Sequence, residues 1–393
     1  MENWRSVFYK LGNASENYFD SLKLRLRQRL GLHMNVQILT YMTYANSREL
    51  YIRGRVLLNK GIEISDRDSI WKNLQNTYKR LSSVEIAGAK LKVKFSETEH
   101  EFFSDEDGYF ELPVALIKPL PPEELWHHPL IELLESPFPF QAPVHVRAEV
   151  MTPPSTARFG IISDIDDTVL TTHAQNLLKS AYMTFTGNAY SRLPFEGVAA
   201  FYQALQKGFS GAEENPVFYV SSSPWNLYDL LVDFLELNKI PKGPLFLKDY
   251  GFTHNKLFTE SHGIHKPKQI RNILNAYPHL NFILIGDSGQ HDPEIYAEVI
   301  KEFPGRILAA YIRDVSIDER DIEVKKISEG ILEHKVEMIL AENSYSAAEH
   351  AAAKGFINPG MLPLIKAEKK ADEVGKESAE KVIEEEIRNQ NNE

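Results

Sequence analysis

The stretch that most constrains this chain is Phe159–Leu170, FGIISDIDDTVL. Phe159, Ile161 and Ile162 read as a short buried strand, and polarity reverses at its end into Ser163, Asp164, Asp166, Asp167 and Thr168. In an extended chain, residues two apart share a face, so Asp164 and Asp166 lean toward one point beyond the carboxyl end of the strand. Open parallel sheets bind their ligands at that edge. Two acids so close repel unless a cation or a proton separates them, and hard oxygen donors of this type suit magnesium. An EF-hand loop is excluded, because Thr168 and Val169 stand where that loop needs an acid or amide and a glycine. A solvated turn leaves the apolar brackets Ile162 and Val169–Leu170 unexplained. A helix N-cap cluster is compatible with the pattern and does not conflict with catalysis.

The rest of the chain divides by pattern. At 393 residues it exceeds one ordinary domain of about 150 residues. A hydrophobic share of 43% is enough for packed cores. A formal net charge of −11 argues against a general nucleic-acid binder. The lack of cysteine removes disulfides, thiolate catalysis and cysteine-ligated zinc. No apolar run approaches the roughly 18 residues of a spanning helix, and no signal-peptide core opens the chain, so a soluble, cytoplasmic protein is expected.

Residues 1–34 place Trp4, Val7, Phe8 and Leu11, then Phe19, Leu22, Leu26 and Leu30, at helical spacing, with Lys23, Arg25, Arg27 and Arg29 between the later leucines. Such an amphipathic segment either packs on its own protein or lies on an anionic membrane surface. From 35 to 152, short β-type runs separated by turns predict a sandwich-like domain, with a hairpin or tight turn at Asp107–Gly108. Residues 151–156, with Pro153 and Pro154, read as the linker. From 153 to 364, strands (FGII, PVFYV, NFILI, ILAAYI) alternate with helical patterns, which predicts a parallel sheet covered on both faces. Residues 365–393 are highly charged and predict a solvated helix or a disordered tail.

Each strand of the second domain ends in polar residues that one reaction would use together. PVFYV leads into Ser221–Ser223, expected at a helix start where hydroxyl and N–H groups can hold a phosphate. NFILI leads into Gly286-Asp287-Ser288-Gly289-Gln290-His291-Asp292, and Lys266 heads a helix between them.

The order D-x-D-x-T, strand-end serine, lysine, then GDSGQHD resembles the haloacid dehalogenase superfamily of aspartate-nucleophile phosphotransferases. DIDDTVL, RLPFEGVAAFYQAL, FYVSSSPWNLYDLL, IPKGPLFLKDYG and FILIGDSGQHDPEIY resemble, more narrowly, the phosphatidate phosphatase catalytic domain of the yeast actin-patch-protein type and its bacterial relatives. The P-x-G-P turn before an L-x-L strand is also similar to lipins. This resemblance covers roughly residues 155–340. It implies a haloacid-dehalogenase-like Rossmannoid sheet and a magnesium-dependent phosphatase that converts phosphatidate to diacylglycerol and phosphate. It further implies that Asp164 is the nucleophile and Asp166 the general acid and base. Asp164, the Asp166 carbonyl and Asp287 would hold Mg2+, with Asp292 in or just behind that set. Ser221 and Lys266 would meet the phosphate, and Thr168 would support the aspartate turn. Alternatives are another lipid phosphate or a soluble phosphomonoester as substrate, or a non-catalytic phosphatidate-binding module. The presence of Asp164 counts against the last. Only about fifty residues separate DIDDT from the serine strand end, too few for a large cap, which favours a bulky or membrane-borne substrate.

Overall fold

A computed structural model describes residues 35–58, 85–169, 195–248, 265–315 and 318–374. The expected amphipathic segment 1–34 and residues 375–393 of the charged tail lie outside the described residues.

The second domain is built on six parallel strands: β1 (Gly160–Ser163), β2 (Val217–Pro224), β3 (Leu245–Lys248), β4 (Phe282–Asp287), β5 (Ile307–Arg313) and β6 (Glu337–Ala341). Their spatial order is β3-β2-β1-β4-β5-β6, with every neighbouring pair parallel. Strands buried on both faces read as continuous apolar runs rather than alternating ones, and all six residues of β4 are buried. Alternate residues of that run serve different faces. Ile283 and Ile285 join a core with helices α1 (Val198–Lys207), α2 (Tyr228–Leu237) and α6 (Ser344–Ala353). Phe282 and Leu284 join another with α3 (His265–Ala276), α4 (Asp292–Glu302) and α5 (Asp318–Ile331). The strand succession runs outward from β1 to β3, then returns to the other side of β1 at β4. That reversal opens a crevice at the carboxyl ends of β1 and β4, where the two acid motifs lie.

Two expectations are corrected here. The serines lie within β2 rather than at a helix start, since the strand runs on to Pro224 and a 3-10 turn (Trp225–Leu227) precedes α2. The pairing of β2 with β3 is irregular between Val220 and Pro224, which lets the strand continue past the point where its apolar run stops. The charged tail is also not free over its first ten residues. Helix α7 (362–374) buries Ile365 completely, and its Glu368 and Asp372 carboxylates accept from the N–H groups of Ala200 and Gly197 at the start of α1. The N-cap residue of α1 is Gly197, which has no side chain to cap with, and acids from α7 satisfy its orphan donors.

The first domain has a three-stranded sheet (Val36–Thr40, Glu49–Leu58, Tyr109–Ala115) and a four-stranded one (Lys90–Phe95, Thr98–Phe103, Leu130–Glu135, His145–Arg147). Ile52 and Phe110 of one share an apolar core with Leu91 and Ile131 of the other. The Asp107–Gly108 turn joins the two sheets rather than closing a hairpin, and Asp105 Oδ1 accepts from the N–H groups of Asp107 and Tyr109.

Residues expected as a linker are part of a packed junction. Val150–Met151 pairs with Thr43–Tyr44 and with Trp126–His127, beside the edge strand β3. Tyr41 meets Tyr228 edge-on at 4.7 Å between ring centres, and Tyr44 packs 5.7 Å from Phe246. Tyr228 accepts from the Met42 N–H at 2.6 Å, and Tyr277 donates to the Ala45 carbonyl at 2.8 Å. None of the described helices is long and apolar enough to cross a membrane.

Candidate active site

Asp164 follows β1 directly and is tied to the neighbouring strand by its N–H, which donates to the Ile285 carbonyl at 2.9 Å. Its carboxylate is 1% exposed, and Oδ2 has no hydrogen-bond partner. Asp287 ends β4 and also has an unpartnered buried Oδ2, while its Oδ1 accepts from the Gln290 N–H at 2.8 Å. Asp292, the first residue of α4, completes a group whose ligand atoms all lie within 4.8 Å of one another. Both Asp292 oxygens are engaged: Oδ1 accepts from Lys266 at 2.7 Å, and Oδ2 from the Asp287 N–H at 3.2 Å. The close approach of Asp292 requires Gly286, because a Cβ there would stand 2.6 Å from Asp292 Oδ2.

Lys266 projects from the first turn of α3 between two acids. Its Nζ is 3.0 Å from Asp164 Oδ1 and 2.7 Å from Asp292 Oδ1. The first contact is an ion pair by distance but is not aligned as a hydrogen bond. Burial disfavours the ammonium, but the two carboxylates outweigh it and raise its pKa above the ordinary lysine value. Three buried carboxylates face one cation, so the cluster is short of positive charge. Burial pushes Asp164 well above the usual carboxylate range, with Lys266 opposing and Asp292 reinforcing the shift. Burial, then the Asp292 charge, pushes Asp287 up to about 7. Two orphaned carboxylate oxygens in a buried, electron-rich niche are what a hard divalent cation would satisfy, so these residues fit magnesium.

Asp166 has its carboxylate held by two serine hydroxyls rather than by Lys266. Ser221 donates to Oδ2 at 2.7 Å, and Ser223 to Oδ1 at 3.1 Å. The Asp166 carbonyl instead accepts from Gln290 Nε2 at 3.3 Å, so it faces the Asp287–Asp292 loop. The turn that separates these orientations has Asp167 at φ 59°. Ser221 was expected to meet phosphate, yet it is fully buried with its hydroxyl proton committed to Asp166. Thr168 is buried near the site with Oγ1 unpartnered, and the structure gives it no hydrogen bond supporting the turn through that atom.

Two contributors escape the sequence reading. Ser223 shares the Asp166 carboxylate with Ser221, which the i, i+2 spacing of a continued strand would have indicated. Arg320 of α5 donates to the carbonyls of Ser288 (3.0 Å) and Gln290 (2.9 Å), while a two-pronged pair with Glu294 (2.7 and 2.8 Å) holds its guanidinium. It clamps the loop between Asp287 and Asp292, and nothing local in the sequence marks it.

Residues 159–314 match the family described as "Phosphatidate phosphatase APP1, catalytic domain". That segment is similar to this catalytic domain over 159–314. Phosphatidate phosphatase APP1 of Saccharomyces cerevisiae is 36% identical over 163 residues, covering 42% of this chain and 27% of that protein. An uncharacterised protein of Schizosaccharomyces pombe is 30% identical over 159 residues, covering 40% of this chain and 25% of that one. The chain thus spans about a quarter of the length of these curated relatives. Among solved structures, a carbohydrate acetylesterase from Xanthomonas citri aligns at TM-score 0.32 and 9% identity, over 82% of this chain and 75% of that one, and this carries no argument about fold or activity. All of the residues that bear on Asp164, except Arg320, fall inside the phosphatidate phosphatase APP1 catalytic-domain match. Strand β6 and helices α5 to α7, which complete the sheet and the cap on α1, lie beyond it.

Proposed function

We propose that this chain is a magnesium-dependent phosphatidate phosphatase of haloacid-dehalogenase type. The observation that carries the reading is the buried Asp164 carboxylate, with an unpartnered oxygen, at the strand-end crevice between Lys266 and Asp287. Asp164 Oδ2 forms the new bond to phosphorus as the bond from phosphorus to the glycerol oxygen breaks, leaving an aspartyl phosphate. Asp166 gives its proton to the departing alkoxide and later takes one from the water that attacks the phosphoenzyme, which returns phosphate and a free Asp164. The Ser221 and Ser223 hydroxyls hold the Asp166 carboxylate in one orientation. Lys266 offsets negative charge at Asp164 and on the transferring oxygens.

Asp164, Asp287 and the Asp166 carbonyl would hold the magnesium, with Asp292 behind them positioning Lys266 and the Asp287 backbone. When bound, the metal supplies charge neutralisation at the phosphoryl oxygens. The name of the yeast relative supports phosphatidate as the substrate. Such a substrate resides in a bilayer, so the reading includes a cytoplasmic protein that works in contact with an anionic membrane surface.

The test is phosphate release by the purified chain from phosphatidate in mixed micelles and from glycerol 3-phosphate, each with Mg2+ and with a chelator. Turnover of phosphatidate that greatly exceeds the soluble ester and disappears with the chelator is expected. Equal turnover of the two esters would remove the lipid assignment, and unchanged rates in chelator would remove the metal.

A further inference from the structure

Between the two domains lies a cleft of about 850 Å³, within the size range of small-molecule sites. One wall is the edge strand β3, through Leu245, Phe246 and Leu247, and the opposite wall comes from the first domain, through Tyr44, Ile52 and Leu112. Helix α3 forms a third side along Lys268, Gln269, Asn272, Asn275 and Ala276. Because α3 runs antiparallel to the sheet it covers, Lys268 lies toward the catalytic edge and Ala276 toward the opposite end.

The cleft therefore begins at the catalytic edge and runs down the side of the sheet. Lys268 is two residues from Lys266, and Trp225, also in the lining, is two residues from Ser223, whose hydroxyl bonds Asp166. The Arg53 guanidinium lies 3.8 Å over the Trp225 ring and pairs with Glu111 at 3.4 Å. Tyr44, Ile52, Leu112, Leu245 and Phe246 thus form an apolar face across from the polar side of α3. This combination suits an amphiphile and disfavours a small, wholly polar phosphoester.

We propose that this cleft binds the hydrocarbon chain of an amphiphilic phosphomonoester whose phosphate sits at Asp164. The inference rests on the phosphatase reading and adds the place where the substrate's chain lies. A chain already in a micelle or bilayer is out of water, so its burial in the cleft adds little driving force there. The cleft is therefore read best with monomeric ligands, where each methylene leaves water.

Alkylphosphonates, which cannot be hydrolysed at the carbon–phosphorus bond, provide such ligands. Calorimetric titration of the full chain with butyl-, hexyl-, octyl- and decylphosphonate, below their aggregation limits and in the presence of Mg2+, should give affinities that rise at least tenfold across the series. Asn272→Trp, on the exposed side of α3 facing the cleft, should flatten that rise while butylphosphonate binding and the melting temperature stay unchanged. A flat series in the unaltered protein would leave the cleft to another occupant, such as an extended polypeptide paired with edge strand β3, and overturns the proposal. Equal weakening of all four ligands by Asn272→Trp overturns it too. Phosphatidate hydrolysis measured on the same preparation separates the two claims: a rising series without hydrolysis retains the chain site and removes the phosphatase reading, whereas hydrolysis with a flat series does the reverse.

Discussion

Ser221 donates its hydroxyl proton to the Asp166 carboxylate at 2.7 Å, and Ser223 donates to the same carboxylate at 3.1 Å, so two hydroxyls fix the acid beside the cluster around Asp164. The two motif acids, two residues apart, therefore have separate surroundings: one faces a lysine and two further acids, the other faces two hydroxyls. Different tasks for the two carboxylates follow from that separation.

Asp164→Asn should abolish turnover of every substrate and prevent formation of a phosphoenzyme, as trapped by rapid quench and mass measurement. Asp166→Asn keeps the carbonyl that faces Gln290 but loses the proton donor. Its loss should reach about two to four powers of ten for an alkoxide leaving group and be smaller for a phenolate, measured with phosphatidate and an aryl phosphate. Identical leaving-group dependence in both variants would mean that the acids only hold the metal.

The charge shortage of the cluster sets a pH dependence. Asp287 has a folded-state pKa near 7 against 3.8 for the ordinary carboxyl, so between those values the folded metal-free protein binds more protons than the unfolded chain. Stability of the metal-free protein should therefore fall as pH rises from about 4 to about 7. Magnesium affinity should climb across the same window, because binding displaces that proton. Melting curves at several pH values, with Mg2+ and with chelator, should diverge as pH increases. A chelator-treated protein that gains stability toward pH 7 would contradict the assignment.

Arg320→Lys retains a positive charge but loses the planar fork that joins Ser288, Gln290 and Glu294. The Mg2+ concentration for half-maximal activity should rise about 10- to 100-fold, the range seen when groups behind metal ligands are altered. Saturating Mg2+ should restore most of the maximal rate. A change in maximal rate alone, with the Mg2+ requirement untouched, would exclude a role through the loop.

Ile365→Ala removes a side chain buried completely between α7 and the catalytic domain. It should cost about 2 to 5 kcal/mol in urea unfolding. A solvated tail would give no measurable change.

The sequence made the parallel sheet legible because β1, β2, β4 and β5 are bracketed apolar runs, and strands covered on both faces have no other reading at that length. It did not make β6 legible. Glu337–Ala341 has a mixed burial pattern at the edge of the sheet, and an edge strand has less need of apolar side chains. The acids Asp164, Asp166, Asp287 and Asp292 and the cation Lys266 were readable because each sits where a strand ends or a helix begins. Ser221 illustrates the limit: its residue type suggested phosphate, and its hydroxyl bond to Asp166 depends on a strand continuation that the sequence did not mark. Arg320 was invisible because its function depends on two carbonyls that any sequence could provide. The tail misled through composition, since Glu368 and Asp372 resemble solvent-facing acids until the bare start of α1 is brought beside them.

The packing of Tyr44 and Val150–Met151 along β3 has a consequence for how this protein can be handled. A fragment cut at residues 159 and 314 would keep the reactive acids yet lose the cover on one margin of the sheet, and would lose β6 from the other. The β5 margin would then offer a row of unsatisfied peptide groups, and the β3 margin, an edge already in the whole chain, would bare the Phe246, Tyr277 and Tyr228 rings, a template for stacking one molecule on the next. The stretch matched among these proteins is therefore smaller than the unit that covers its own margins, and a fragment with boundaries drawn from that stretch is expected to aggregate more than the full chain.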